Sequence, residues 1–201
     1  MKNIFNFLVA GSLALGLASC GSGQSDSAQT AKDSNTTKMD STGADSSSAA
    51  KIPATVSKAD QDFAVNTAIA GMTEIQAGQL AQQKGTAKDV KEYAAMMIKD
   101  HTQAADKLKA IANQKNITLP ATLTPEAQKN LDDLQKEDGK KFDKDYMAMM
   151  VSDHKKVIGA FEDESKNGSD ADIRGFADST LHTLHQHLDK AEKCEKMMSK
   201  M

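Results

Sequence analysis

Apolar residues recur at intervals of three and four along most of the chain beyond residue 57, which is the spacing of one face of an α-helix. Four long segments carry this pattern, at about 57–84, 86–115, 143–167 and from 169 to near the C-terminus. Gly85 and the pair Asn167-Gly168 follow two of these segments, and glycine at that place is typical of a helix end. The folded region is therefore predicted to be all-α.

Three of the four helices begin at a residue pair typical of a local N-terminal cap. In each pair a hydroxyl residue is followed three positions later by an acidic residue. The pairs are Ser57/Asp60, Thr86/Asp89 and Ser169/Asp172. The pattern predicts that each of these helices caps its own first turn.

The segment between the second and third long helices, residues 116–142, differs from the short connections elsewhere. It contains Pro120, a short helix introduced by Thr124-Pro125-Glu126, and a break at Gly139. A connection of this length can cross the whole bundle, which would leave the second and third helices parallel. We therefore predict a ferritin-like four-helix bundle with one long crossover. Four leucines would dock the crossover on the bundle: Leu119, Leu123, Leu131 and Leu134.

Each long helix carries one polar residue in the middle of its apolar stripe. The histidines of the second and third helices end a duplicated motif, Tyr-x-x-Met-Met-[Ile/Val]-x-Asp-His, at residues 93–101 and 146–154. Residues in the middle of their helices can meet whichever way the helices run. The four polar residues are Glu74, His101, His154 and His187.

Neutral imidazoles and one carboxylate form a donor set that binds Zn²⁺, Cu²⁺, Fe²⁺ or Mn²⁺. The four residues are therefore predicted metal ligands. Asp100 and Asp153 precede their histidines and point to a different face, where they can orient imidazoles on neighbouring helices. The alternative is a metal-free buried polar network, in which Glu74 hydrogen-bonds the histidines.

The sequence argues against a carboxylate-bridged di-iron centre, because such bundles carry Glu-x-x-His on two helices. The residues three positions before His101, His154 and His187 are Ile98, Val151 and Leu184, which cannot bind metal. No pair of nucleophile and base is recognisable, and no glycine-rich phosphate loop. No catalytic residue is assigned, and an enzymatic role is not indicated.

Residues 1–19 resemble a bacterial lipoprotein signal peptide, with an apolar run that ends in Leu17-Ala18-Ser19-Cys20. The resemblance implies a lipidated Cys20 and a membrane-anchored protein of the bacterial cell envelope, at the outer membrane in preference to the inner one. Residues 20–56 are rich in Ser, Thr and Asp, and we expect them to form a disordered tether. The helical domain then spans 57–201. With Cys20 lipidated, Cys194 has no partner for a disulfide within the chain.

The net charge restricts the classes of binding partner that can be expected. The net charge of −3 gives no basic field that would recruit nucleic acid, so the expected partner is the membrane that the lipid anchor reaches. The sequence does not identify a protein partner.

The paired Asp-His motifs, Phe63-Ala64 with Glu74, Phe142-Asp143 with Tyr146, and His187-Leu188 together resemble the family called domain of unknown function 4142. The resemblance covers about residues 57–192 and implies a ferritin-like helical bundle in a predicted outer membrane protein. Family members commonly have proline at the position of His182. Two function classes follow: a metal-binding bundle for storage, buffering or stress protection, or a structural or interaction bundle without metal.

Overall fold

The structure is a computed structural model that describes residues 26–41 and 56–199. Within these ranges the chain folds into α-helices without strands, as the periodicity predicts. The helices are α1 (Ser27–Ser41), α2 (Lys58–Lys84), α3 (Lys88–Gln114), α4 (Pro125–Gln135), α5 (Gly139–Asn167) and α6 (Ala171–Met198).

Helices α2, α3, α5 and α6 are the four predicted long helices, and α4 is the predicted short helix of the connector. The Thr124 side chain accepts a hydrogen bond from the amide of Ala127, and Pro125 occupies the first turn of α4. This arrangement satisfies an N–H group that would otherwise have no partner. Helix α5 begins at Gly139, four residues before the predicted start.

Two apolar cores fill the space between the long helices. One contains Tyr93, Met97, Phe142 and Tyr146, near the starts of α3 and α5. The other lies at the opposite end, and the rings of Phe63, Phe161 and Phe176 are in contact there. The buried methionines of the duplicated motif therefore fill the core. The connector leucines belong to these cores: Leu123, Leu131 and Leu134 are buried and Leu119 is partly buried.

Hydrogen bonds between helix ends define the directions of the helices. The Asp143 carboxylate, at the start of α5, accepts from the amides of Thr86 and Ala87 at the start of α3. The Asp60 carboxylate, at the start of α2, accepts from the amides of Ser169 and Asp170 at the start of α6. Helices α3 and α5 therefore run in the same direction, and the connector carries the chain from one end of the bundle to the other.

These contacts correct two of the predicted local caps. The cap position of α3 is Ala87, which makes no side-chain cap, and Asp143 from α5 takes over that role. The α6 cap is Asp170, whose side chain accepts from the amides of Asp172 and Ile173. The Ser57 cap of α2 is confirmed, because its hydroxyl accepts from the amide of Asp60.

Helix α1 contradicts the prediction of a disordered tether for residues 27–41 of the segment 20–56. Ala28 and Ala31 pack against Val65 of α2. The Asn35 side chain accepts from the amide of Thr118 (2.7 Å) and donates to its carbonyl oxygen (3.1 Å). A segment with few apolar residues is therefore ordered by docking on α2 and the connector, contacts that its own composition does not indicate.

The predicted signal peptide (1–19) and Cys20 lie outside the described residues, so their roles stay predictions. None of the described helices is long and apolar enough to span a bilayer. Cys194 is a buried free thiol.

Candidate metal centre

The four polar residues singled out by the sequence converge between the two apolar cores. Each comes from the middle of a different long helix, and each is buried: Glu74, His101, His154 and His187. One ring nitrogen of each histidine lies within 4.8 Å of a ring nitrogen of each of the others. This group comprises the three histidines and does not include Glu74.

Outer hydrogen bonds assign the tautomers of two histidines. The Nδ1–H of His154 donates to the carbonyl oxygen of Met150, one turn earlier in α5, at 2.9 Å. The Nε2–H of His187 donates to Oδ2 of Asp100 on α3, at 3.0 Å. A neutral imidazole carries one N–H, so His154 Nε2 and His187 Nδ1 are left as lone-pair acceptors.

These two lone-pair nitrogens lie 3.4 Å apart. With both outer bonds made, no hydrogen lies between them, and two lone pairs face each other. A tetrahedral metal ion bound at about 2.0–2.1 Å holds its nitrogen ligands about 3.4 Å apart. The separation therefore fits two imidazoles that share one cation.

His101 contacts Glu74 on its other side. His101 Nδ1 lies 3.1 Å from Oε2 of Glu74, whereas His101 Nε2 is buried and has no hydrogen-bond partner. Oε1 of Glu74 lies 3.4 Å from Nδ1 of His154, but the N–H of that nitrogen donates to Met150, so Oε1 also has no partner. Buried polar atoms without partners are rare and costly, so both atoms are available to a ligand that reaches the site.

Burial disfavours charge throughout this cluster. Burial, with the nearby Asp153 carboxylate, raises the pKa of Glu74 to about 8. Burial and the other imidazoles lower the pKa of His101 to about 3, and burial is the main cause that lowers the pKa of His154 to about 4. Burial also lowers the pKa of His187, against the opposing effect of Asp100.

The metal-free protein therefore holds neutral imidazoles and a protonated Glu74 at pH 7, and the contact between His101 and Glu74 is a hydrogen bond between neutral groups. Whichever of the two carries the shared proton, His101 Nε2 remains without a partner. Protonation of the folded site requires a pH well below the range in which free imidazole is protonated. A bound cation would stabilise the Glu74 carboxylate and return its pKa towards the ordinary value.

Asp100 and Asp153 differ in their contacts although they hold equivalent positions in the duplicated motif. Asp100 hydrogen-bonds His187, as an orienting carboxylate would. Asp153 makes no hydrogen bond to a histidine among the described contacts, and acts on the site through its charge near Glu74. The carbonyl of Met150 is an orienting partner that the sequence does not reveal, because every helical residue offers such a group. His182 and His185 lie on the exposed side of α6.

The fold is similar to that of a solved structure, the crystal structure of a DUF305 fragment from Deinococcus radiodurans. The TM-score is 0.62 at 8% sequence identity, and the match covers 73% of this chain and 99% of that one. At this identity the likeness concerns the fold alone. No curated protein sequence matches this chain. The model of the domain of unknown function 4142 matches residues 45–194, a range that contains the whole polar cluster, and the chain therefore belongs to that family.

Proposed function

We propose that the protein binds one divalent transition metal ion through His101, His154 and His187. The observation that carries this proposal is the 3.4 Å approach of two imidazole nitrogens whose only N–H groups point away from each other. His101 adds a third buried ring nitrogen without a partner. Three neutral imidazoles are donors that suit Zn²⁺ and Cu²⁺, and also Fe²⁺.

Two carboxylates complete this proposal without serving as catalytic groups. Asp100 holds the ring of His187, and Glu74 holds the ring of His101, as outer partners commonly do at metal sites. When the ion binds and Glu74 ionises, two negative charges balance the two positive charges of the metal. In this proposal Glu74, which the sequence predicts as a ligand, acts through His101.

Metal-dependent thermal stability tests the proposal on the full chain, purified without a histidine tag and stripped of metal. A ligand that binds only the folded state stabilises it by about 2.7 kcal/mol at a hundredfold excess over Kd. Zn²⁺ or Cu²⁺ should therefore raise the melting temperature of the wild-type protein. The double change His101→Gln and His154→Gln should abolish the increase, whereas the exposed control pair His182→Gln and His185→Gln should retain it.

The competing function is a metal-free polar network that gives a structural bundle its specificity. The protonated state of Glu74 favours it, since a neutral Glu74 can hydrogen-bond His101 without any cation. Elemental analysis separates the two. Sub-stoichiometric metal in the purified protein, with no melting shift for Mn, Fe, Co, Ni, Cu or Zn, would establish the network.

We also propose a ferritin-like arrangement and a place in the bacterial envelope for this bundle. The parallel α3 and α5 with their long connection support the former, and the sequence ending in Cys20 supports the latter. An anchored metal-binding bundle suits storage, buffering or stress protection. Cys20→Ala should move the protein from the membrane fraction to the soluble fraction. Unchanged partitioning, with no acyl mass on the wild-type N-terminal peptide, would contradict the anchor.

A further inference from the structure

A cavity of about 520 Å³ adjoins the histidine cluster. It lies between α2, α3 and α6, and the connector residues 117–121 form part of its wall. Small side chains create the space, because Gly71 and Ala68 on α2 face Ala104 and Ala105 on α3 across it. Its volume is within the range of cavities that bind small organic ligands.

The cavity is elongated, with polar residues at its inner end and apolar residues along its middle. Along α3 its lining runs from His101 to Asn113, which is about 18 Å at a rise of about 1.5 Å per residue. Glu74, His101 and His187 border the inner end. The middle is lined by apolar side chains, among them Leu108 and Leu184. Such a shape fits a molecule with an apolar body and a single polar end.

The inner end offers hydrogen-bonding atoms that the protein does not satisfy. His101 is 8% exposed, and its Nε2 has no partner, and neither has Oε1 of Glu74. Glu74 and His101 are both buried there, so a charged group of a ligand would lose its hydration on binding. A buried polar group of a ligand is therefore favourable there when it is uncharged and hydrogen-bonded.

We propose that this cavity binds an uncharged amphiphile, a long-chain alcohol or a phenol, with its apolar body along Leu108 and Leu184 and its hydroxyl at His101 and Glu74. Binding of this class of ligand goes beyond the proposed metal binding and does not require the metal ion. A hydroxyl group is both a donor and an acceptor, so it can hydrogen-bond a ring nitrogen and a carboxyl oxygen at the same time.

Displacement of a neutral fluorescent probe, 1-aminoanthracene, from the metal-free full chain tests the proposal. 1-Decanol and 1-naphthol should displace the probe and raise the melting temperature. Decanoate, which has the same chain but a charged head group, should bind at least tenfold more weakly. Equal binding of decanol and decanoate would overturn the proposal and place the head group at the exposed Lys109 of the lining. Absence of displacement by either alcohol would overturn it as well.

Filling the cavity supplies the matched variants. A Cβ atom added at Gly71 meets no heavy atom within 4 Å, so Gly71→Leu introduces its side chain into open space beside the cavity. This variant should weaken decanol binding at least tenfold. Gly159→Leu is the control, because Gly159 is also helical and unobstructed but lies on the exposed face of α5, outside the lining. An equal loss of decanol binding in both variants, or no loss in either, would contradict the proposed location.

Two further measurements keep the result unambiguous. If Gly71→Leu fails to fold, Ala104→Leu fills the same cavity from α3 and should give the same loss of decanol binding. The Zn²⁺-dependent melting shift of each variant reports separately on the metal centre. A variant that retains this shift and loses decanol binding would support the amphiphile site. Unimpaired decanol binding in a folded Ala104→Leu variant would refute it.

Discussion

At the scale of single residues, the convergence of Glu74 and the three histidines could be predicted, because a residue in the middle of an apolar stripe faces the core wherever its helix lies. The individual hydrogen bonds of these residues could not be predicted. His101 and His154 end the same motif, yet Nδ1 of His101 faces Glu74 whereas Nδ1 of His154 donates to Met150. Such differences depend on the rotation of each ring and on the neighbouring helix, neither of which is encoded by spacing alone.

Asp100 and Asp153 offer a matched test of the outer partners. Asp100→Ala removes the carboxylate that holds His187, and loss of such a partner typically lowers metal affinity 10–100-fold. Asp153→Ala removes the equivalent residue of the motif, which hydrogen-bonds none of the histidines and acts only through its charge near Glu74, so metal affinity should change by about threefold at most. Competition with a chromophoric chelator measures both. Equal losses would mean that Asp100 does not orient His187.

Glu164 lies near the C-terminal end of α5, away from the metal centre. Its burial leads us to predict a pH dependence of the free energy of unfolding that does not involve the metal. Its Oε1 is buried without a partner, and burial, with the charge of Asp60, raises its pKa from 4.5 to about 7. A folded-state pKa above the unfolded value stabilises the fold at low pH, and this contribution is lost as the pH rises from about 4.5 through about 7. Glu164→Gln removes the ionisable group and with it this loss.

The amide that Glu164→Gln introduces stays neutral at every pH, so at pH 8 the variant should be more stable than the wild type. We expect a difference of about 1 kcal/mol, which is smaller than the pKa shift alone would give because solvent screens the charge. At pH 4 the two proteins should be equally stable. Urea unfolding at both pH values measures the difference. A variant that is less stable at pH 8 would show that the Glu164 carboxylate makes a favourable interaction there.

At the scale of helices, the existence and type of the long elements followed from periodicity, whereas the way in which they begin did not. Asp60 lies in the first turn of α2 and Asp143 lies just after the first turn of α5, and each accepts hydrogen bonds from backbone amides at the start of another helix. In the sequence both residues resemble ordinary first-turn acids. Ser169 is 109 residues from Asp60 and Thr86 is 57 residues from Asp143, separations that no local cap pattern can detect.

The cap supplied by Asp143 should be a major source of stability. Its buried carboxylate accepts from two backbone amides and the Thr86 hydroxyl, and hydrogen bonds to a charged group contribute about 1.5–3 kcal/mol each. Asp143→Ala should cost about 3 kcal/mol in urea unfolding. Asp89→Ala, at the exposed acidic residue of the predicted pair Thr86/Asp89, should cost less than about 1 kcal/mol. A larger loss of stability for Asp89→Ala than for Asp143→Ala would show that the local pair Thr86/Asp89 caps α3.

Helix α1 shows that contacts distant in sequence can also determine whether a whole segment is helical. Its sequence is rich in Ser, Thr and Asp, and a segment of this composition cannot bury enough apolar surface to fold alone. It is helical because Ala28 and Ala31 fit against Val65 and because Asn35 satisfies both backbone groups of Thr118. The contacts that order it belong to residues far along the chain, so composition alone gave the wrong prediction.

At the scale of the whole molecule, a polar layer separates two apolar cores, and a cavity extends from that layer towards one end. Small residues allow helices to pack closely, and α2 and α3 are close at Gly78, where an added Cβ would lie 2.9 Å from Ile98 Cγ1. Around Gly71 the same small residues leave a cavity. Whether small side chains bring helices together or leave space depends on how far the helices diverge, which composition does not determine.

The direction of α5 relative to α3 is a property of the whole chain that spectroscopy can measure. Spin labels at the exposed Glu92 and Lys144 lie near the starts of α3 and α5, and a label at Lys166 lies near the end of α5. Positions 144 and 166 are about 33 Å apart along the helix axis at about 1.5 Å per residue. Helices α3 and α5 each pack against α2 and α6 and lie diagonally opposite each other. If they run parallel, the 92–144 distance should be shorter than the 92–166 distance by on the order of 20 Å. A label pair at Lys109 and Lys166, both at the opposite end, should again give a short distance. A long 92–144 distance together with a short 92–166 distance would require antiparallel helices, and the hydrogen bonds between Asp143 and the start of α3 could not then form.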